Sequence, residues 1–241
     1  MMTNRLRGVD LVVLVDMTCN MKSEISDLKR GLKKMFEHYF GGKSKGACYI
    51  QNWRAKVVGY RNVNHDHEWI INNPFVSDID DVEKQLCGIE TSDQKSLPAL
   101  IDALLTVSGM GWTDCQRNVD GWQWRSRYDA IRVVVVLTNS PYEPYALGED
   151  FNKATYEDVA RKMAEKRIIL YIVTPGEPFD KSVSQAEFED CYKKLAMVDK
   201  AEYFSLRTAQ GWAIKLSGVD FLETFLKTCI ICNANLPKEC C

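Results

Sequence analysis

Three oxygen-bearing side chains follow one another at alternate positions near the start of the chain. Residues 10–21 read DLVVLVDMTCNM, so Asp16, Thr18 and Asn20 come at the end of an apolar, β-branched run. Carboxylate, hydroxyl and amide oxygens are the ligands that hard cations such as Mg²⁺ prefer. The run before them is typical of a strand buried on both faces of a parallel sheet. The pattern predicts a cation site just beyond the carboxyl end of this first strand, and the alternative is a polar turn in which Asn20 caps a helix over 21–40.

A second polar cluster follows another apolar run, over 131–137, which is the most strongly β-branched stretch of the chain. Thr138, Asn139 and Ser140 come directly after it. Ligands of open α/β sheets bind at the carboxyl ends of strands, where the strand order reverses. If the two strands are neighbours, both polar clusters meet at one point, and Asn139 becomes part of the cation site. The alternative for Asn139 is a turn residue before Pro141.

Strand-like and helix-like patterns alternate along the chain. Strands are predicted at 10–16, 55–60, 68–71, 131–137, 168–173 and 201–206, and helical faces at 25–40, 82–89, 97–108, 155–163, 188–195 and 221–230. Alternating units of this kind predict an α/β fold, a doubly wound, mostly parallel sheet of about six strands with helices on both faces. In the helix over 97–108, Pro98 is expected in the first turn and Ser96 at the N-cap. The expected organisation is one domain over 1–228 and a cysteine-containing tail over 229–241.

Composition excludes several classes of function. The net charge is −2, which provides no global basic field for nucleic acid. No apolar run reaches the ~18 residues that a membrane-spanning helix needs, and the N-terminal apolar run reads as a strand and not as a signal peptide. The chain has nine cysteines, an odd number, which favours free thiols in a reducing compartment. We therefore expect a cytoplasmic protein that binds neither nucleic acid nor membrane.

Known catalytic motifs are absent from the sequence. It contains no Gly-rich phosphate loop, no Gly-x-Ser-x-Gly elbow and no His-Glu-x-x-His. The two histidines of the His65-Asp66-His67 segment are interpreted as part of a solvated turn. A Mg²⁺-dependent phosphoester hydrolase using Asp16 is the least supported alternative, because Thr18 stands where a general acid would be needed. We expect that the protein is not an enzyme.

The pattern Asp16-x-Thr18-x-Asn20 resembles the Asp-x-Ser-x-Ser opening of the von Willebrand factor A (VWA) domain. Over 8–227, further stretches are similar to this family: 55–61 (AKVVGYR) and 68–75 (EWIINNPF) resemble bacterial cytoplasmic members, 100–104 (LIDAL) the helix after the second metal loop, and 134–139 (VVVLTN) a strand that usually ends in Thr-Asp. The chain departs from the family pattern at Asn20, which replaces a serine, and at Asn139, which replaces an aspartate.

The resemblance implies a protein-interaction module with a metal-ion-dependent adhesion site for Mg²⁺ or Mn²⁺. A partner protein's Asp or Glu would complete the coordination. Asp16, Thr18 and Asn20 would be direct ligands, and Asn139 would orient a water. One further ligand would come from the loop over 90–98, where Asp93, Ser92, Thr91 and Ser96 are candidates. Because this ligand set is short of carboxylates, the resemblance implies weak binding, and the alternative is a metal-independent scaffold with a degenerate site.

Two aromatic segments are candidate contact surfaces. Tyr142, Glu143 and Tyr145 follow Asn139 and are predicted to contact a partner from the same rim, since tyrosine is enriched at protein interfaces; the alternative is a packed surface loop. A second aromatic set precedes the strand over 131–137, so it is expected at the opposite end of the sheet, covering the edge of the core: Trp112, Trp122, Trp124 and Tyr128.

Overall fold

The computed structural model describes residues 8–40, 52–113, 121–174, 183–196 and 201–205. Within these ranges the chain forms eight strands: β1 (Gly8–Asp16), β2 (Trp53–Tyr60), β3 (Ile70–Asn72), β4 (Trp112–Thr113), β5 (Trp124–Arg125), β6 (Ala130–Leu137), β7 (Ile168–Thr174) and β8 (Ala201–Ser205). Six of them form a central sheet in the order β3-β2-β1-β6-β7-β8. Only the β2–β3 pairing in this sheet is antiparallel. The predicted doubly wound, mostly parallel sheet is confirmed.

Five α-helices cover the two faces of the sheet in the described part of the chain: α1 (Ile25–Tyr39), α2 (Ile79–Cys87), α3 (Leu100–Gly109), α4 (Tyr156–Lys166) and α5 (Gln185–Leu195). Helices α1 and α2 pack on the face formed by the odd-numbered residues of β1, such as Val13. Helices α3, α4 and α5 pack on the opposite face, which contains Val12 and Leu14. Because β1 is covered on both sides, all of its residues are buried, which explains its nearly continuous apolar sequence.

Strands β1 and β6 lie side by side and run parallel, with Val15 opposite Leu137. From β1 the chain continues to β2 on one side, and β6 is followed by β7 on the other. The strand order therefore reverses between β1 and β6, which makes their carboxyl ends the expected ligand-binding crevice of such a sheet.

Helix α3 begins later than its sequence pattern predicts. Its first residue is Leu100 and its N-cap is Ala99, so the predictions that Pro98 lies in the first turn and that Ser96 is the N-cap are wrong. The segment before Leu100 is instead held against the end of β2, because the Asn62 side chain donates to the Leu97 carbonyl at 2.7 Å. Proline also disfavours a helical backbone at the residue before it, which keeps Leu97 out of the helix.

The starts of two other helices test sequence predictions. Helix α1 begins at Ile25, with Glu24 as its N-cap, and Asn20 lies in a separate 3₁₀ turn, so the alternative that Asn20 caps this helix is wrong. Helix α4, predicted over 155–163, begins with a capping box formed by Thr155 and Asp158. The Thr155 amide donates to the Asp158 carboxylate at 3.0 Å, which satisfies a backbone donor that the helix leaves free.

The aromatic segment lies at the amino end of the sheet, as predicted. Trp124 is fully buried, and its indole donates to the Val107 carbonyl at 2.9 Å. Trp112, Trp122 and Tyr128 are about half exposed or more, so only Trp124 of this set belongs to the core.

Parts of the sequence-based organisation fall outside the description. The helix expected at 221–230, the boundary at residue 228 and the four C-terminal cysteines lie outside the described residues. None of the helices in the described ranges is long and apolar enough to cross a membrane.

Candidate functional site

The two polar clusters predicted from the sequence lie together in the structure. Asp16 is the last residue of β1, and Thr138 follows the last residue of the neighbouring β6. The hydroxyl of Thr138 donates to Asp16 Oδ2 at 2.7 Å, which joins the two strand ends directly. The site therefore stands at the point where the strand order reverses.

Asp16 forms the centre of the site and is fully buried. Its Oδ1 atom accepts hydrogen bonds from the amide and from the hydroxyl of Thr18, both at 2.8 Å. The Asp16–Thr18 spacing thus closes a small turn at the end of β1, in which the aspartate holds the following backbone. Thr18 itself is also buried, so this part of the site is rigidly placed.

Asp16 has no cationic partner within the described residues; its hydrogen bonds come from neutral groups, the amide and hydroxyl of Thr18 and the hydroxyl of Thr138. Burial raises the pKa of its carboxyl, and hydrogen bonds from Thr138 and Thr18 only partly offset that effect. At the other end of β1, Asp10 is equally buried but contacts the guanidinium groups of Arg54 and Arg125. Asp16 is therefore the buried carboxylate of this strand that a bound cation would stabilise.

An outer ring of amide, hydroxyl and carboxylate groups surrounds the approach to Asp16. The Asn139 side-chain amide donates to the Asn20 carbonyl at 2.8 Å and to Glu24 Oε1 at 3.1 Å. The side-chain amide of Asn20 donates to the Ser140 hydroxyl at 2.9 Å, and this hydroxyl donates to Asn139 Oδ1 at 3.1 Å. Asn20 and Asn139, both predicted to be site residues, are therefore in one hydrogen-bond network.

Glu24 and Ser140 belong to this ring although neither was predicted as a site residue. Ser140 directly follows Asn139, so its proximity to a strand end was a signal available in the sequence. Glu24 is far from Asn139 along the chain and precedes α1, where an acidic residue is ordinarily explained by the helix dipole. Its contact with Asn139 connects it with the site.

Two tyrosines close the site from the side of α5. The Tyr192 hydroxyl donates to the Ser140 carbonyl. Tyr60, opposite Asp16 in the sheet, is fully buried, and its hydroxyl forms no hydrogen bond of ordinary length within the described residues. Burial raises the pKa of Tyr60 well above its usual range, and the charge of Asp16 acts in the same direction. The Tyr60 hydroxyl therefore lies beside Asp16 and Thr138 in the buried part of the site.

The loop candidates for a further ligand are placed differently from one another. Asp93 is highly exposed and forms an ion pair with Lys22 at 2.8 Å, which holds its pKa below the usual range. Ser92 lies closer to the strand end, because its amide donates to the Met17 carbonyl at 2.7 Å. The Ser96 hydroxyl is buried without a hydrogen-bond partner in the described part of the chain. The structure brings neither Asp93 nor Ser96 into contact with Asp16.

The three residues predicted to contact a partner differ in how far they are exposed. Tyr142 is only 6% exposed, its hydroxyl donates to the Cys191 carbonyl and its ring packs on Tyr192, so it belongs to the core. Glu143 is half-buried. Tyr145 is 43% exposed on the same loop, which leaves Tyr145 and Glu143 as the side chains of this set that a partner could reach.

The turn with the two histidines matches its interpretation as solvated. His65 and His67 are both exposed. Asp66 between them is half-buried and accepts a hydrogen bond from the Ser92 hydroxyl at 2.9 Å. This turn therefore supports the 90–98 loop.

The donor chemistry of the site fits a hard divalent cation. Carboxylate, hydroxyl and amide oxygens are available from Asp16, Thr18, Asn20, Asn139 and Glu24, and a buried hydroxyl of Tyr60 stands beside them. No group of three or more His, Cys, Asp or Glu residues suited to a metal occurs in the described part of the chain. A cation here would rely on neutral oxygen ligands and water, as Mg²⁺ sites commonly do.

Comparison with known proteins supports the fold. No protein-family model matches the chain, and no curated protein matches it either. Among solved structures, proximal thread matrix protein 1 from the mussel byssus matches with a TM-score of 0.56 and 13% identity, over 94% of this chain and 47% of that one. The pilus adhesin SpaC from Lactobacillus rhamnosus GG matches with a TM-score of 0.59 and 12% identity, over 93% of this chain and 31% of the adhesin.

A second structure of the byssus protein is described with zinc in its MIDAS motif. It matches with a TM-score of 0.56 and 14% identity, over 93% of this chain and 49% of that one. The neighbours thus include a VWA-type protein. The chain spans about half of the byssus protein and less of the adhesin, and at these identities the comparisons show a shared fold.

Proposed function

We propose that this protein is an interaction module that binds a partner protein through a divalent cation, Mg²⁺ or Mn²⁺, at the carboxyl ends of β1 and β6. The observation that carries the proposal is the environment of Asp16. It is a fully buried carboxylate at the point where the strand order of the sheet reverses, and neutral hydrogen-bond donors surround it. An uncompensated buried charge destabilises the folded state, and a bound cation would offset that destabilisation.

In this proposal each residue near Asp16 has a defined role. Asp16, Thr18 and Asn20 hold the cation, and Asn139 acts from the outer ring. An Asp or Glu of the partner supplies a further oxygen and its negative charge. Tyr145 and Glu143 on the neighbouring loop contribute contacts that select the partner, since charge and polar complementarity at a rim give specificity. The site binds and does not catalyse.

The second candidate function is a scaffold that needs no metal. It is favoured by the fact that both Asp16 oxygens already accept hydrogen bonds from Thr18 and Thr138. Asp93, the acidic loop candidate, is engaged by Lys22. In this alternative the polar network alone shapes the rim.

Thermal unfolding distinguishes the two candidates. At a hundredfold excess of cation over its Kd, binding to the folded state adds about 2.7 kcal/mol. For a chain of this size that contribution corresponds to a rise in Tm of about 5–10 °C over the chelated protein, and the rise becomes smaller as the Kd for Mg²⁺ or Mn²⁺ approaches the cation concentration used. The rise should be absent in Asp16→Ala and in Asp16→Asn, which keeps the size of the side chain.

Asp93→Ala is the matched control, because Asp93 is exposed and does not contact Asp16. It should retain the full rise in Tm if Asp16 carries the site. An unchanged Tm of the wild-type protein with both cations would contradict the proposal and favour the metal-independent scaffold.

A further inference from the structure

We infer that Glu24 supplies the second negative charge of the cation site, replacing a charge that the amide of Asn139 cannot provide. The inference rests on the proposed function and adds a binding residue to it. It starts from the contact between these two residues, in which the Asn139 amide donates to Glu24 Oε1 at 3.1 Å.

The neutral side chain at position 139 is a hydrogen-bond donor that complements the carboxylate acceptor at position 24. The Asn139 amide is a donor, so it holds Glu24 and the Asn20 carbonyl at the same time. An aspartate at position 139 would have no proton to donate and would face the Glu24 carboxylate across the same distance. Two carboxylates in such contact repel each other. The pair Asn139–Glu24 therefore keeps one negative charge at this edge of the site while avoiding that repulsion.

The position of Glu24 allows it to act on a cation. It is half-buried, directly before α1, and it reaches the ring that contains Asn20, Asn139 and Ser140. Through Asn139, Glu24 joins the cluster of polar groups at the strand ends where Asp16 also lies, which gives this edge of the sheet a second carboxylate. Divalent cations of this class are bound more tightly as the number of charged ligands increases.

The test is isothermal titration of the full chain with MgCl₂ and MnCl₂. Glu24→Gln keeps an oxygen that accepts from Asn139 and removes only the charge. We expect its Kd to be higher than that of the wild type by about tenfold or more, with the Tm of the chelated protein unchanged. Glu37→Gln, an exposed carboxylate on α1, is the matched control and should bind as the wild type does.

Moving the negative charge from position 24 to position 139 provides a sharper test. In the double variant Glu24→Gln/Asn139→Asp the site again has one outer carboxylate, so its Kd should return to within about threefold of the wild type. Asn139→Asp alone places two carboxylates in contact and should lower the Tm of the chelated protein, while Mg²⁺ or Mn²⁺ restores it.

The outcomes separate this inference from the proposed function. If the wild type binds, Asp16→Asn does not, and Glu24→Gln binds like the wild type, the inference is overturned and the proposed function stands. A Glu24→Gln variant with a lower metal-free Tm and an unchanged Kd would assign Glu24 to the helix dipole instead, which also overturns the inference. A wild-type protein that binds neither cation overturns both.

Discussion

Replacing Asp10 by alanine is expected to lower the free energy of unfolding by about 3–5 kcal/mol, because removing one partner of a buried ion pair leaves the other charge uncompensated. Asp10 is fully buried, and its carboxylate accepts from Arg54 at 3.1 and 2.7 Å. It also accepts from the Arg125 side chain at 2.6 Å and the Arg125 amide at 2.7 Å. One carboxylate thus joins β1, β2 and β5, and two guanidinium groups would lose their shared anion.

Urea unfolding followed by circular dichroism measures this effect as a shift in the transition midpoint. The matched control is Asp81→Ala, which breaks an ion pair with Lys84 whose two side chains are 46% and 75% exposed. Exposed pairs contribute about 0–1 kcal/mol, so the control should shift the midpoint little. Equal shifts for the two variants would mean that the Asp10 network does not stabilise the fold.

Replacing Lys56 by methionine is expected to stabilise the protein at pH 7 by about 2–3 kcal/mol. The Lys56 side chain is fully buried. Its amine lies 3.4 Å from Met110 Sδ and over the rings of Phe75 and Trp122, and within the described residues no carboxylate pairs with it. Burial, together with the positive charge of Arg54, lowers the pKa of Lys56 to about 8. Methionine fills similar space and suits contacts with aromatic rings.

The pH dependence of this stability difference shows whether the buried charge of Lys56 causes it. With its pKa lowered from 10.5 to about 8, Lys56 binds fewer protons in the folded state than in the unfolded state across that interval. Stability contributed by this residue therefore rises with pH between those two values. The advantage of Lys56→Met should be largest below about pH 8 and should disappear above about pH 10.5.

Thermal or urea unfolding of both proteins across this range provides the measurement. Lys34→Met, a substitution at an exposed lysine of α1, controls for the general effect of removing a positive charge. A difference between wild type and Lys56→Met that stays constant with pH would show that packing, and not the buried charge, determines the effect.

The sheet and the centre of the site could be predicted from the sequence because they depend on strand ends. Two β-branched runs buried on both faces belong in the middle of a parallel sheet, and β1 and β6 are neighbours there. Once these strands are adjacent, the residues after them must meet, which brought Thr138 to Asp16 and Asn139 to Asn20. Alternation of strands and helices likewise determined that both faces are covered.

The loops around the site could not be predicted in the same way. Side-chain periodicity carries no information on the path of the 90–98 segment, whose position depends on contacts such as that between Asn62 and Leu97. It therefore left four candidates for the loop ligand, including Asp93, although Asp93 faces solvent and pairs with Lys22. Tyr142 appeared as a surface residue because its burial depends on the docking of α5, where its ring meets Tyr192.

The amino-acid sequence by itself determined the class of fold, the strands that lie at its centre and the oxygen-bearing residues at their carboxyl ends, because periodicity and local order of residues encode these features. The tertiary structure alone decided which side chains form the outer ring of the site. Glu24 joins that ring through a hydrogen bond to Asn139, and Asp10 and Asp16 differ through their neighbours, guanidinium groups for one and hydroxyl groups for the other. Contacts between residues far apart in sequence set local charge, and only folding brings them together.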